Sequence, residues 1–309
     1  MEESEIIKQR KEKLLKFFSK NYNWISYIIL AALVWVAVKI RTSNLPGLKD
    51  ITTGTWTLGP DLDPFLFLRW AQYIVEHGKL MVIDTMRYVP LGYNTAQELA
   101  LHSYMIVWFH KIAALFGSES INHSAVLYPA FMFGLAMIAF FFLTKTIFVK
   151  TLGNMQANII SLVATFFLSV IPALLPRTIA GIPEKEAGAL PFMFLAFYFF
   201  LLAWDSKGKY LSYVYGALAG ISTGIMGLVW GGSIYVYATL ALAVFVAFIF
   251  GQIDNRKIVV FGLWAFISIA MLLGFSERFA FSAIVSSGFT GCLLYTSDAA
   301  DDLLCVDLG

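Results

Sequence analysis

Cysteine is all but missing from this chain. The two that occur, Cys292 and Cys305, both stand in the last stretch, so neither a disulfide framework nor a thiolate metal site is expected. Charge is the second shortage: 14% of the 309 residues are Asp, Glu, Lys or Arg, against 59% hydrophobic, a mix foreign to soluble domains. No glycine-rich phosphate loop, internal repeat, low-complexity linker or inverted two-half repeat of the transporter kind is present. The formal net charge of +2 says little about partners, because in a membrane protein the place of each charge outweighs the sum. No nucleic acid partner is expected.

Long apolar runs fill the space that charge leaves. They fall at 24–40, 124–144, 158–175, 188–204, 210–229, 233–250 and 258–275, each near the length of roughly 20 residues that crosses a bilayer as a helix. The fold class expected is an all-α membrane protein, a polytopic bundle of about seven transmembrane helices. A basic amphipathic lead, residues 1–23, carries Lys8, Arg10, Lys11, Lys13, Lys16 and Lys20. It lacks the small-residue cleavage site of a signal peptide, and the positive-inside rule puts it in the cytoplasm. The pairs Lys145 and Lys150, Lys207 and Lys209, and Arg256 and Lys257 mark further inner loops. A long loop at 41–123, an acidic one at 176–187 and the tripeptide "WGG" at 230–232 then share the extracytoplasmic face. The long loop holds amphipathic helical stretches, "FLFLRWAQYIVEHGKL" and "AQELALHSYMIVWFHKIAALFG". Residues 24–275 thus form the transmembrane domain and 276–291 begin a further outer segment.

The last residues differ in kind. From 292 to 309 the chain reads "CLLYTSDAADDLLCVDLG", dense in aspartate and without apolar period. Its start resembles a transposon adapter of sequencing libraries read through in frame, and the stretch is expected to be non-native rather than an acidic tail.

Acids gather at two places on the outer face. In "GPDLDPFLFLRW", Asp63 precedes Pro64, the pattern of a helix N-cap with proline in the first turn; capping accounts for one aspartate and leaves Asp61. In "PRTIAGIPEKEAG", Pro183 is expected to open a helix with Glu184 and Glu186 in its first turn, where the positive helix end favours them, and Lys185 as an exposed partner. The same acids, with Arg177 upstream, are also what a hard divalent cation and an anionic substrate require. Convergence of Asp63, Glu184 and Glu186 on one metal would suit group transfer from a phosphate-bearing lipid.

The order of these elements resembles the catalytic subunit of oligosaccharyltransferases, nearest to the archaeal single-subunit type. In the first loop the resemblance rests on Asp63-Pro64, Arg69, Gly78 and the run Tyr88 to Gly92, with Val89 inserted before Pro90. In the second it rests on Arg177, Ala180-Gly181 and the acid-x-acid Glu184 and Glu186, and later on Trp230-Gly231-Gly232. It covers about residues 20–290. The resemblance implies the GT-C glycosyltransferase fold and transfer of a glycan from a lipid-linked oligosaccharide, a polyprenyl phosphate or diphosphate, to asparagine in Asn-x-Ser/Thr of an acceptor polypeptide. It further implies Asp63, Glu184 and Glu186 as ligands of Mn2+ or Mg2+, Asp63 as a contact of the acceptor amide, and Arg177 as a phosphate or acid-positioning group. Asp61 ranks behind these as a supporting acid and Asp84 as a solvated loop residue. Glu-x-Glu departs from the family's aspartate at the first acid. The family's later acidic loop and its soluble domain with Trp-Trp-Asp do not occur before residue 291, so the chain as given is expected to be inactive.

Other features weigh less. His77, His102, His110 and His123 lack metal spacing and read as polar interfacial residues. Asn122-His123-Ser124 is itself a sequon. A protein O-mannosyl or lipid-modifying transferase would share an acidic first loop, without the second. A transporter would carry its charges inside the spans, and here the spans are almost free of them.

Overall fold

The structure, a computed structural model, describes the backbone of residues 2–279 and side chains from residue 22 onward. The tail from 292, and most of the outer segment expected from 276, lie outside the described residues. Ten α-helices are described: α1 (Glu2–Arg41), α2 (Asp63–His77), α3 (Leu101–Ala113), α4 (Ile121–Leu152), α5 (Asn154–Val170), α6 (Leu175–Thr178), α7 (Lys185–Asp205), α8 (Lys209–Val229), α9 (Ile234–Ile249) and α10 (Asn255–Phe275). A small antiparallel hairpin, β1 (Ile83–Asp84) with β2 (Tyr93–Asn94), sits between α2 and α3.

Six helices are long and apolar enough to span: α1 from Tyr22, α4, α7, α8, α9 with the turn before it, and α10. The expected run at 158–175 is instead the 17-residue α5. It stops at Val170 because Ile171 precedes Pro172 and is extended, with φ −60° and ψ 119°; proline disfavours the helical conformation in the residue before it. Seventeen residues lie at the lower limit for a span.

Burial sorts the bundle. The apolar windows of α4, α7 and α8 are 67%, 50% and 61% buried, those of α9 and α10 22% each, so three helices form the centre and the others present Phe, Ile and Val outward. The close pairing of α8 with α10 has a local cause. Gly216, Gly220 and Gly224 recur every fourth residue on one face of α8, the small-residue spacing that lets membrane helices approach closely. A Cβ at Gly220 would stand 2.9 Å from the Trp264 carbonyl oxygen and 3.0 Å from Ile267 Cβ. At the other end of α7 and α8, Arg256 at the start of α10 donates to the carbonyls of Ala203, Trp204 and Ser206 and to Ser212 Oγ. It thereby satisfies carbonyls that the C-terminus of α7 leaves open. Lys150 adds an ion pair to Asp205 at 2.6 Å.

The long loop at 41–123 is ordered and helical. α3 packs on α2 and on α4, and Ser103 Oγ donates to the Phe67 carbonyl at 3.2 Å. The sequon asparagine is committed to this packing. Asn122 lies in the first turn of α4, donates from Nδ2 to the Trp56 carbonyl at 3.2 Å and accepts from Gln72 at 2.8 Å.

Gly220→Leu is expected to cost about 1–3 kcal/mol by overpacking and to lower the melting temperature of the detergent-solubilised protein. Gly262, where an added Cβ meets nothing within 4 Å, is the control. Equal melting of Gly220→Leu and Gly262→Leu would contradict the close α8–α10 contact.

Candidate functional site

The two loops meet through main chain. Ala180 N–H donates to the Arg41 carbonyl at 2.8 Å, Gly181 N–H to the Val126 carbonyl at 2.9 Å, and Gly59 N–H of the first loop to the Gly181 carbonyl at 2.8 Å. Asn44 Nδ2 takes the Ala180 carbonyl at 2.8 Å. Two residues of the second loop are thus held by the end of α1, by α4 and by the first loop together. Gly181 has φ +85°, and a Cβ there would lie 2.5 Å from Leu48 Cδ1 and 3.2 Å from the Gly59 nitrogen, so both conformation and space demand glycine. Below it, Arg41 is fully buried over the Phe133 ring and donates to Thr178 Oγ1 at 2.8 Å and to the Ser169 carbonyl at 3.0 Å.

This clasp sets the acids of the two loops side by side. Arg177, in the short α6, reaches Glu184 Oε1 at 3.2 Å and Asp61 Oδ2 at 3.8 Å, bridging the loops. Glu184 is the N-cap residue of α7 and only 4% exposed. Burial, then the charges of Glu186, Asp61 and Asp63, push its carboxyl up to about 7 against the pull of Arg177. Three carboxylates thus bear on the Glu184 carboxyl, while among the described residues Arg177 is the cation in contact with Glu184 and Asp61; that excess of negative charge fits a cation. Carboxylate oxygens are the donors that hard divalent ions prefer. Among the described residues no three acids or histidines already stand as a ligand set; Arg177 lies between the acids of the two loops instead.

Several sequence expectations need correction here. Asp63 is not an N-cap: Leu62 takes that position, Asp63 is the first residue of α2, and no side-chain cap bond forms. Its exposed carboxylate remains at the site instead of closing the helix end. The helix after Pro183 begins at Lys185, so Glu186 lies in its first turn and Glu184 just outside. Lys185 is not an exposed partner of those glutamates. Its ammonium turns to Glu98 at 2.9 Å and lies 5.1 Å from the centre of the Phe67 ring. Arg278 at 3.5 Å and Arg87 at 3.7 Å complete the shell of Glu98. Burial would raise the Glu98 carboxyl, but Lys185 and its neighbours bring it below the usual carboxylate value. Asp84 is not solvated: its side chain is 1% exposed, ion-paired to Arg69 and bonded by Trp70 Nε1 at 2.9 Å. Burial raises its carboxyl, and the bonds from Arg69, Trp70 and the Met86 amide overcome this, leaving it at about 2.

The histidines divide. His77 stacks on Tyr73 and His123 on Trp56, while His110 Nδ1 meets Ser124 Oγ at 2.8 Å. His102 is fully buried, not interfacial, and Nε2 lies 2.8 Å from the Pro183 carbonyl. Sequence reasoning missed it because its partner is 81 positions away.

With this geometry in place, comparison identifies the family. Residues 22–296 match the family described as oligosaccharyl transferase STT3, N-terminal. The chain belongs to the STT3 oligosaccharyltransferase family. It is 26% identical over 289 residues, 87% of this chain, to dolichyl-phosphooligosaccharide-protein glycotransferase 3 of Archaeoglobus fulgidus. It is 23% identical over 211 residues, 66% of this chain, to the dolichyl-diphosphooligosaccharide–protein glycosyltransferase subunit STT3 of Saccharomyces cerevisiae. It covers 31% and 28% of those two relatives, and so spans about a third of the length of the curated STT3 relatives it matches. The archaeal oligosaccharyltransferase AglB of A. fulgidus, solved with an inhibitory peptide and a dolichol-phosphate, superposes with a TM-score of 0.69 at 20% identity, over 93% of this chain and 34% of that one. The A. fulgidus oligosaccharyltransferase solved with Zn and sulfate gives 0.67 at 21% identity, over 89% and 36%. The STT3 chain thus has the GT-C fold of a multi-pass membrane protein.

Gly181→Ala is expected to destabilise the protein by about 1–3 kcal/mol more than Gly54→Ala. Gly54 carries φ +68° but meets nothing within 4 Å, so the difference isolates the clasp. Equal melting temperatures for the two variants would show that the close approach of Leu48 and Gly59 does not constrain residue 181.

Proposed function

We propose that this chain supplies the N-terminal, acid-bearing part of an oligosaccharyltransferase site. The reaction is transfer of a glycan from a polyprenyl (dolichyl) phosphate or diphosphate to the side-chain amide of asparagine in Asn-x-Ser/Thr. The observation that carries the reading is the bridge of Arg177 between Asp61 of the first loop and Glu184 of the second, with Glu186, Asp61 and Asp63 all bearing on the Glu184 carboxyl. Dolichol-phosphate and peptide bound by the archaeal relative support the lipid and acceptor classes, as does the peptide with the NVT sequon tethered to another form of it. Its zinc complex supports a divalent cation, and the sequence resemblance favours Mn2+ or Mg2+.

Each residue then has a task. The exposed Asp63 carboxylate accepts an N–H of the acceptor amide and draws that weakly basic nitrogen toward the anomeric carbon. The amide nitrogen forms the new bond as the carbon–oxygen bond to phosphate breaks; the phosphate keeps the electron pair, and the amide proton leaves through the carboxylates that bind it. Arg177 donates to phosphate oxygens from the mouth of the site. Asp63, Glu184 and Glu186 would hold the divalent cation, which offsets charge on the leaving phosphate. The site faces the extracytoplasmic side, with the N-terminus in the cytoplasm, because the basic pairs gather at the opposite loops.

The test places Glu184→Gln and Glu186→Gln in a protein carrying these residues at the relatives' full length. Cation-dependent transfer from a lipid-linked oligosaccharide to an Asn-x-Thr peptide should fall by about a hundredfold or more, with membrane insertion unchanged. Undiminished transfer would overturn the site.

A further inference from the structure

A histidine outside the acid cluster also links the two acid-bearing elements. His102 on α3 is wholly buried and wedged between three helices. Its ring meets Phe67 of α2 edge-on at 4.9 Å and Tyr128 of α4 edge-on at 5.4 Å. Phe67 lies four residues after Asp63, hence on the same face of α2. On the far side, Nε2 reaches the carbonyl of Pro183, the residue before Glu184. Pro183 is the centre of a tight turn in which the Glu184 N–H donates to the Ile182 carbonyl at 2.8 Å.

The chemistry of this contact is fixed. A carbonyl only accepts, so Nε2 carries the proton and donates, and Nδ1 keeps the lone pair. Burial keeps the ring neutral, its pKa lowered to about 3. The depth of the ring depends on Gly188 in α7, where a Cβ would lie 2.9 Å from His102 Nδ1 and 2.7 Å from Tyr128 Oη. Any larger residue at 188 would push histidine and tyrosine away.

We propose that His102 is a positioning residue: through Phe67 and the Pro183 carbonyl it sets the spacing between Asp63 on α2 and Glu184 and Glu186 at the start of α7. The importance of that spacing for a cation rests on the function proposed above; the clamp itself does not. Groups that orient metal ligands without touching the metal typically carry 10- to 100-fold in affinity.

The test uses side-chain shape. The amide nitrogen of glutamine reaches where Nε2 stands, and that of asparagine only where Nδ1 stands. His102→Gln therefore keeps the donor to Pro183, while His102→Asn and His102→Leu lose it. Two readouts are taken on the detergent-solubilised chain: Mn2+ affinity by loss of the free-ion EPR signal, and hydrogen exchange of the Glu184 amide without added cation. The expected result is that His102→Gln binds Mn2+ within about threefold of the parent and keeps Glu184 protected. His102→Asn and Gly188→Ala, at melting temperatures close to that of His102→Gln, should bind about tenfold or more weakly and exchange faster. If His102→Asn matches the parent in both readouts, or Gln fails as Asn does, the clamp is overturned. If the parent itself binds no Mn2+, the cation reading fails, and Glu184 exchange alone decides the clamp.

Discussion

The structure depends on main-chain bonds at Ala180 and Gly181. Those two residues are tied to Arg41 at the end of α1, to Val126 in α4 and to Gly59 in the first loop. Segments far apart in the chain, from residue 41 to residue 181, are thereby joined at one point. Each of these bonds lies where side chains are buried and water is scarce, so leaving one unmade would cost the desolvation of a polar group. Gly181 permits the arrangement because it alone tolerates the backbone turn and the nearness of Leu48. The acids at the start of α7, Glu184 before it and Glu186 in its first turn, have their place relative to α2 because this clasp holds.

Once the loops are joined, the cations sort the acids into two groups. Lys185, Arg87 and Arg278 surround Glu98, and Arg69 neutralises Asp84. Those carboxylates are held below their ordinary range and serve the fold of the first loop. Among the described residues Glu184 receives Arg177 alone, itself shared with Asp61, and is pushed up instead. Lys185 sits between Glu184 and Glu186 in the chain yet points away from the site. That turn of one side chain separates a neutralised network from one with excess negative charge, and perturbed groups of this kind cluster at functional sites.

Much of this was legible in the sequence because it is local. Apolar runs of span length forecast the membrane helices, and "PRTIAGIPEKEAG" announced acids at a helix start. The end of α5 before Pro172 was readable in principle from the proline alone. What could not be read depends on distant partners. Nothing near Asp84 reveals that Arg69 and Trp70 bury it, nothing near Lys185 names Glu98, and His102 looks like any other loop histidine until Pro183 stands beside it. Asp63 misled for a subtler reason: an Asp-Pro pair fits both a cap followed by proline and two helical residues in sequence. The structure takes the second course and keeps the carboxylate available.

The proposed site requires that acids of two separate loops act on one cation. The most direct measurement is a double-mutant cycle in Mn2+ affinity on the solubilised chain, with Asp63→Asn, Glu186→Gln and both together. Convergence predicts that either substitution removes most of the binding and that the second then adds little, a coupling of about 1 kcal/mol or more. Losses that simply add, or an affinity untouched by Asp63→Asn, would contradict it and leave the first loop outside the site.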